Sequence, residues 1–250
     1  MTGSTARRLA WSTWAAAMVL AVGAVALQLA SLDAPIPSQF GVRGFAAVFA
    51  VAFATVGAFV ASRRPENPIG WLFCAAGLFS GIQEFTTQYG AFGALSHPGT
   101  LPAARYLPWV SAWIWVPITG IVVIYTVLLF PTGSLLSARW RPVLWVAPVA
   151  LATFALSNAL LAGPISNIPS IRNPFGIESL HDPLLAVGAI GSLLYVFCAA
   201  GALASLITRY RRSRGDERHQ LRWFLLGAGL TVVVLAASFT FAFQPEQEIP

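Results

Sequence analysis

The chain has 250 residues, of which 57% are hydrophobic and 10% charged, and its formal net charge is +6. So few charges cannot cover the surface of a soluble domain, so the solvent of this chain is mostly lipid. The positive charge does not indicate a nucleic-acid surface, because every basic residue is Arg and these gather in alternate loops.

Apolar runs of transmembrane length recur at 9–30, 44–61, 69–89, 109–130, 143–161, 184–207 and 221–243. At about 1.5 Å per residue each can cross a hydrocarbon core about 30 Å thick. No short alternating segments of the β-barrel kind are present. The expected fold is therefore all-α, a polytopic transmembrane bundle of about seven helices forming one domain over 1–250.

The first run follows Arg7 and Arg8, carries Trp11 and Trp14 at its start and has Gln28 near its end. Small residues at 24–30 leave a cleaved signal peptide as an alternative, with six helices in the same orientation. The second run leads into Arg63-Arg64-Pro65-Glu66-Asn67-Pro68, a compact reversal. Pro65 stops one helix, Asn67 is an N-cap, Pro68 suits the first helical position, Gly70 permits close approach and Trp71 anchors at the interface.

The third run sets Gly77, Ser80, Gly81, Glu84, Thr87 and Gln88 on one helical face. Glu84 is the one ionisable residue within the spans away from their ends, about 22 Å from the start of its run. Trp109, Trp113 and Trp115 open the fourth run, and Pro117 and Pro148 are expected to kink the fourth and fifth. The loops 91–108 and 163–183 show no folded-domain pattern. Cys74 and Cys198 fall in separate spans and do not suggest a disulfide.

Topology follows from charge. With the N-terminus in the cytoplasm, Arg7, Arg8, Arg63, Arg64, Arg139, Arg141, Arg209, Arg211, Arg212, Arg214, Arg218 and Arg222 are inside, and only Arg43, Arg105 and Arg172 are outside. This places the chain in the cell membrane, with the C-terminus outside if there are seven spans. If 208–222 is helical, Arg211, Arg214, Arg218 and Arg222 form one stripe, suited to anionic lipid, to a partner or simply to inside retention.

Glu84, Gln88, Gln28 and Asn158 fall at similar depths, with Tyr195 somewhat deeper, and these five are the candidate sensing or ligand residues, lining a small cavity open to the outside. The alternative is that they only bond between helices. No nucleotide loop, serine elbow, zinc-spaced Cys pair or haem-holding His pair is found, so no catalytic residue, cofactor or metal site is assigned. His97 and His181 read as loop residues.

Several loop motifs occur together. These are Arg64-Pro65-Glu66-Asn67-Pro68-Ile69-Gly70-Trp71-Leu72, Leu129-Phe130-Pro131-Thr132-Gly133 with Arg139-Trp140-Arg141-Pro142, Asn173-Pro174-Phe175-Gly176, and Arg209-Tyr210-Arg211-Arg212 through Glu217-Arg218-His219-Gln220-Leu221-Arg222-Trp223-Phe224. In this combination the chain resembles the N-terminal membrane region of actinobacterial sensor histidine kinases, the type paired with response regulators carrying a helix-turn-helix output domain.

The resemblance implies a signal-input module, a homodimer, a cytoplasmic kinase output and a response regulator as partners. Histidine kinase activity follows only if such an output is joined. His219 stands where similar regions have Glu-Arg-Gln-Gln-Leu and is not taken as the phosphorylated residue. Seven spans put the C-terminal end opposite a cytoplasmic kinase, which implies either an eighth span or a stand-alone relative. A small multi-pass transporter or permease is the alternative function.

Overall fold

The computed structural model describes residues 3–36, 43–216 and 218–227. The seventh expected run, 221–243, falls largely outside them. Six long helices follow in order: α1 Gly3–Leu29, α2 Phe45–Arg63, α3 Pro68–Gly90, α4 Pro108–Leu129, α5 Arg141–Leu160 and α6 His181–Arg212. The all-α architecture is as expected. Among the described residues, five helices are long and apolar enough to cross a membrane: all of these except α3. α3 has the length, at 23 residues, but its last two turns carry Gln83, Glu84, Thr86, Thr87 and Gln88.

The packing suits helices surrounded by lipid. In α1 the buried residues are Ala6, Ala10, Ala17, Ala21 and Ala24, while Val19, Val22 and Leu29 point outward. Leu193 and Phe197 of α6 and Trp145 and Val149 of α5 are likewise exposed. Water offers no reason to bury Ala and expose Val, Leu and Phe, whereas in lipid the small residues earn the contact by letting backbones approach.

That approach is closest between α2 and α3. Gly57 lies on the Cys74 backbone and Gly77 on the Ala54 backbone, and a Cβ at Gly70 would sit 2.6 Å from the Ala61 nitrogen. Ala10 of α1 joins Ala58, Ala61 and Cys74 beneath Trp14 and Trp71, completing a three-helix unit. α5 and α6 form a second unit, with Gly191 placed so that a Cβ would meet the Phe154 nitrogen at 2.7 Å. Ser157 Oγ also donates to the Leu184 carbonyl at 2.7 Å.

α4 lies between the units. Gly90 of α3 meets Pro108, and Gly120 meets Leu151 of α5. A core of Ile124, Leu128, Val143, Ala147, Cys198 and Ala202 joins α4 to α5 and α6. Pro117 cannot donate to the ladder, and the following residues, Gly120–Thr126, widen into π-helical geometry. α5 stays one continuous helix across Pro148.

Two local features differ from the sequence expectation. The 163–183 loop contains an antiparallel hairpin, β1 Pro164–Ile165 with β2 Ile168–Arg172. Its Ile165, Ile168 and Ile171 pack on Ala112 and Trp109, contacts between distant segments that no local pattern announces. The Arg stripe is not on one helix either. α6 ends at Arg212, Ser213 is extended and Gly215 has φ of +56°, so Arg211 belongs to α6 while Arg218 and Arg222 belong to the helical stretch beyond.

Candidate functional site

Glu84 and Gln88 are one turn apart on α3 and both buried, with 7% and 1% exposure. Gln88 Nε2 donates to Glu84 Oε1 at 2.6 Å. The opposite end of the same amide, Gln88 Oε1, accepts from Arg43 Nη2 at 2.9 Å and Nε at 3.2 Å. Arg43 also donates from Nη1 to the Ser31 carbonyl at 2.7 Å and from Nη2 to Ser31 Oγ at 3.0 Å. Gln28 Nε2 donates back to the Arg43 carbonyl at 3.1 Å.

A guanidinium and a carboxylate are thus joined through one amide, and the network ties the end of α1, the turn before α2 and the last turns of α3 together. The Ala46 backbone N–H also donates to the Glu84 carboxylate. The N-cap of α2 is Gly44, whose φ is +89° and which has no side chain to cap the helix. Glu84 therefore caps α2 from a neighbouring helix by accepting from an N–H of its first turn. Burial pulls the Arg43 guanidinium below its ordinary range, and the charges of Glu84 and Asp33 pull it back up.

The expected five-residue cavity is divided. Glu84, Gln88 and Gln28 are brought together, whereas Asn158 and Tyr195 lie in the α5–α6 unit. Asn158 Nδ2 donates to the Phe154 carbonyl of its own helix. Tyr195 faces the Phe154 ring, with centroids 6.5 Å apart, and bonds to Thr119 of α4. Among the described residues no hydrogen bond links either to the Glu84 network. Depth along the normal, which sequence supplies, says nothing about which helices are neighbours.

The sequence reading missed Arg43 and Ser31 as site residues. The signal for Arg43 was its sign: it is one of only three Arg residues at the Arg-poor end.

At the other end of α3 the turn motif behaves as its residues require. Asn67 Oδ1 accepts from the Ile69 N–H at 3.0 Å, Pro68 is the first helical residue, and Trp71 Nε1 donates to the Pro65 carbonyl at 3.0 Å. Gly133, with φ of +76°, sits against this cap, 2.6 Å from Asn67 Oδ1 if given a Cβ. Its neighbours are held by Arg209 of α6, which is 4% exposed and donates to Thr132 Oγ1 at 3.1 Å and to the Ser134 carbonyl at 2.6 Å. Three separate sequence motifs therefore meet, and Arg209, which the stripe omitted, is the Arg that joins them.

Arg218 lies 5.4 Å from the centre of the Tyr210 ring, and Trp223 Nε1 donates to His219 Nε2 at 2.9 Å. Cys74 and Cys198 are buried free thiols in different cores. Among the described residues no group of three His, Cys, Asp and Glu side chains is placed to hold a metal ion. The arrangement is one of hydrogen-bonded coupling. In comparisons with known proteins, no family model, no curated protein and no solved structure matches the chain.

Proposed function

We propose that the chain is the membrane-embedded input module of a signalling protein, carried with its N-terminus in the cytoplasm and passing a signal by repacking helices. The observation that carries this reading is that α3 touches both polar centres. Its last turns bear Glu84 and Gln88, and its N-cap Asn67 abuts the Gly133 turn clamped by Arg209. The 17 residues from Pro68 to Glu84 make a rod about 25 Å long. A change in the Arg43–Gln88–Glu84 network that shifts or rotates α3 therefore reaches the foot of α6, and the helical stretch after it, without any ligand crossing the membrane.

The resemblance in the loop motifs agrees with this reading, and a kinase output and a response regulator are the partners it would serve. A transporter needs polar groups across the full depth. Beneath Glu84 the inward face of α3 instead carries Gly77, Cys74 and Gly70 backed closely onto α2, so sensing is the better account.

The test places spin labels at positions 64 and 214 of the full chain in lipid nanodiscs and compares distance distributions in wild type and Gln88→Leu. Signal transmission requires the far-end distribution to move although the substitution is at the opposite end of α3. An unchanged distribution, with Gln88→Leu still folded, refutes it. Uptake of solute into sealed vesicles bearing the chain would favour transport instead.

A further inference from the structure

The bundle has an Arg-rich end and an Arg-poor end, and the Arg-poor end holds only Arg43, Arg105 and Arg172. Each runs against the charge asymmetry that orients the chain. Arg43 is consumed inside the bundle. The other two, 67 residues apart and on different loops, line the same cavity of about 410 Å³.

Ala94, Leu95 and Ile171 give that cavity an apolar floor continuous with the core beneath Trp109. Tyr106 and Ser170 add hydroxyls to its wall, and none of the residues lining it is acidic. Among the described residues Arg105 has no hydrogen bond or ion pair. Arg172 has only an exposed pair with Glu178, at 3.0 Å, in which both side chains are about three-quarters exposed (75% and 74%). Exposed pairs of this kind are weak and exchange partners readily.

We propose that this cavity binds an organic oxyanion, a carboxylate or phosphate ester with a short apolar body. Its head would be held by Arg105 and Arg172 and its body would lie on Leu95 and Ile171. Guanidinium forks match the planar spacing of carboxylate and phosphate oxygens, which a single ammonium would not. The volume lies within the common range for small-ligand sites, about 300–1,000 Å³, and the pairing of an apolar floor with a few polar groups is their usual chemistry. The source is either a soluble metabolite or the headgroup of an anionic lipid, since both present the same oxyanion. The inference does not depend on the signalling role, because binding is read directly.

The test is calorimetric titration of hexanoate, hexyl phosphate and hexanol into the full chain in phosphatidylcholine nanodiscs. Saturable binding of at least one anion, none of hexanol, and at least tenfold weaker binding in Arg105→Gln and in Arg172→Gln is expected. Because both side chains are on the surface, each variant should keep the wild-type thermal transition. Arg105→Glu should abolish binding outright, a second reading free of any ambiguity over partial loss.

Repeating the titration in nanodiscs containing phosphatidylglycerol separates the sources. Competition by that lipid in wild type but not in the double Gln variant identifies a headgroup site, and no competition identifies a soluble anion. Equal binding of hexanol, undiminished binding in the double variant, or no saturable binding of either anion overturns the proposal.

Discussion

Replacing Arg43 by Ala removes four hydrogen bonds and leaves three acceptors, Gln88 Oε1, the Ser31 carbonyl and Ser31 Oγ, without their donor. A hydrogen bond from a charged donor contributes about 1.5–3 kcal/mol where the acceptor is otherwise left buried. Interhelical bonds in membranes average nearer about 0.6 kcal/mol, because the unfolded chain in lipid also finds partners. With acceptors on two residues affected, and Arg43 only partly buried, the expected loss is about 2–4 kcal/mol. Denaturant unfolding in mixed micelles, followed by Trp fluorescence, measures it. The double variant with Gln88→Leu then isolates the pair: residues in one network should show a coupling of about 0.5–3 kcal/mol. A single-variant cost below about 0.5 kcal/mol together with additive effects would refute the view that Arg43 ties α3 to the end of α1.

Arg209→Ala should loosen the 131–136 turn and the foot of α6, read as faster amide exchange there with protection of α1 and α2 unchanged; equal exchange in the turn would show the clamp to be idle. Gly70→Ala inserts a methyl against the Ala61 backbone and is expected to destabilise the bundle by about 1–3 kcal/mol, whereas Gly3→Ala, which meets nothing within 4 Å, should not. Asn67→Ala removes the N-cap of α3 at a cost of about 1 kcal/mol, and Asn67→Asp should restore it. Asn158→Ala loses only a bond within its own helix, so its unfolding midpoint should stay near wild type; a drop as large as that of Arg43→Ala would place Asn158 in a network the structure does not contain.

The helices were legible because hydropathy and helix signals are local. The run at 69–89 became Pro68–Gly90, that at 44–61 became Phe45–Arg63, and that at 109–130 became Pro108–Leu129. The roles of Asn67 as N-cap and Pro68 as first helical residue were legible for the same reason, since both act within a turn, whereas the Trp71 bond to the Pro65 carbonyl was not foreseen. The polar face of α3 was also legible, because residues three and four apart share a face whatever surrounds the helix. The composition of Glu84's neighbourhood was not, because Arg43 reaches Gln88 across 45 positions and its carbonyl partner, Ser31, lies just past the end of α1.

The sequence by itself determined that this chain is built of membrane-length helices, roughly where they lie, and which residues of α3 share a polar face, for all of these follow from side chains a turn or less apart. Only the tertiary structure decided that Asn158 and Tyr195 stand apart from Glu84, that Arg209 rather than the exposed Arg residues is buried in the turn cluster, and that Arg105 and Arg172 share a cavity. Those outcomes depend on how each helix is rotated and which helix it meets, and closely packed Gly and Ala contacts between distant segments set both.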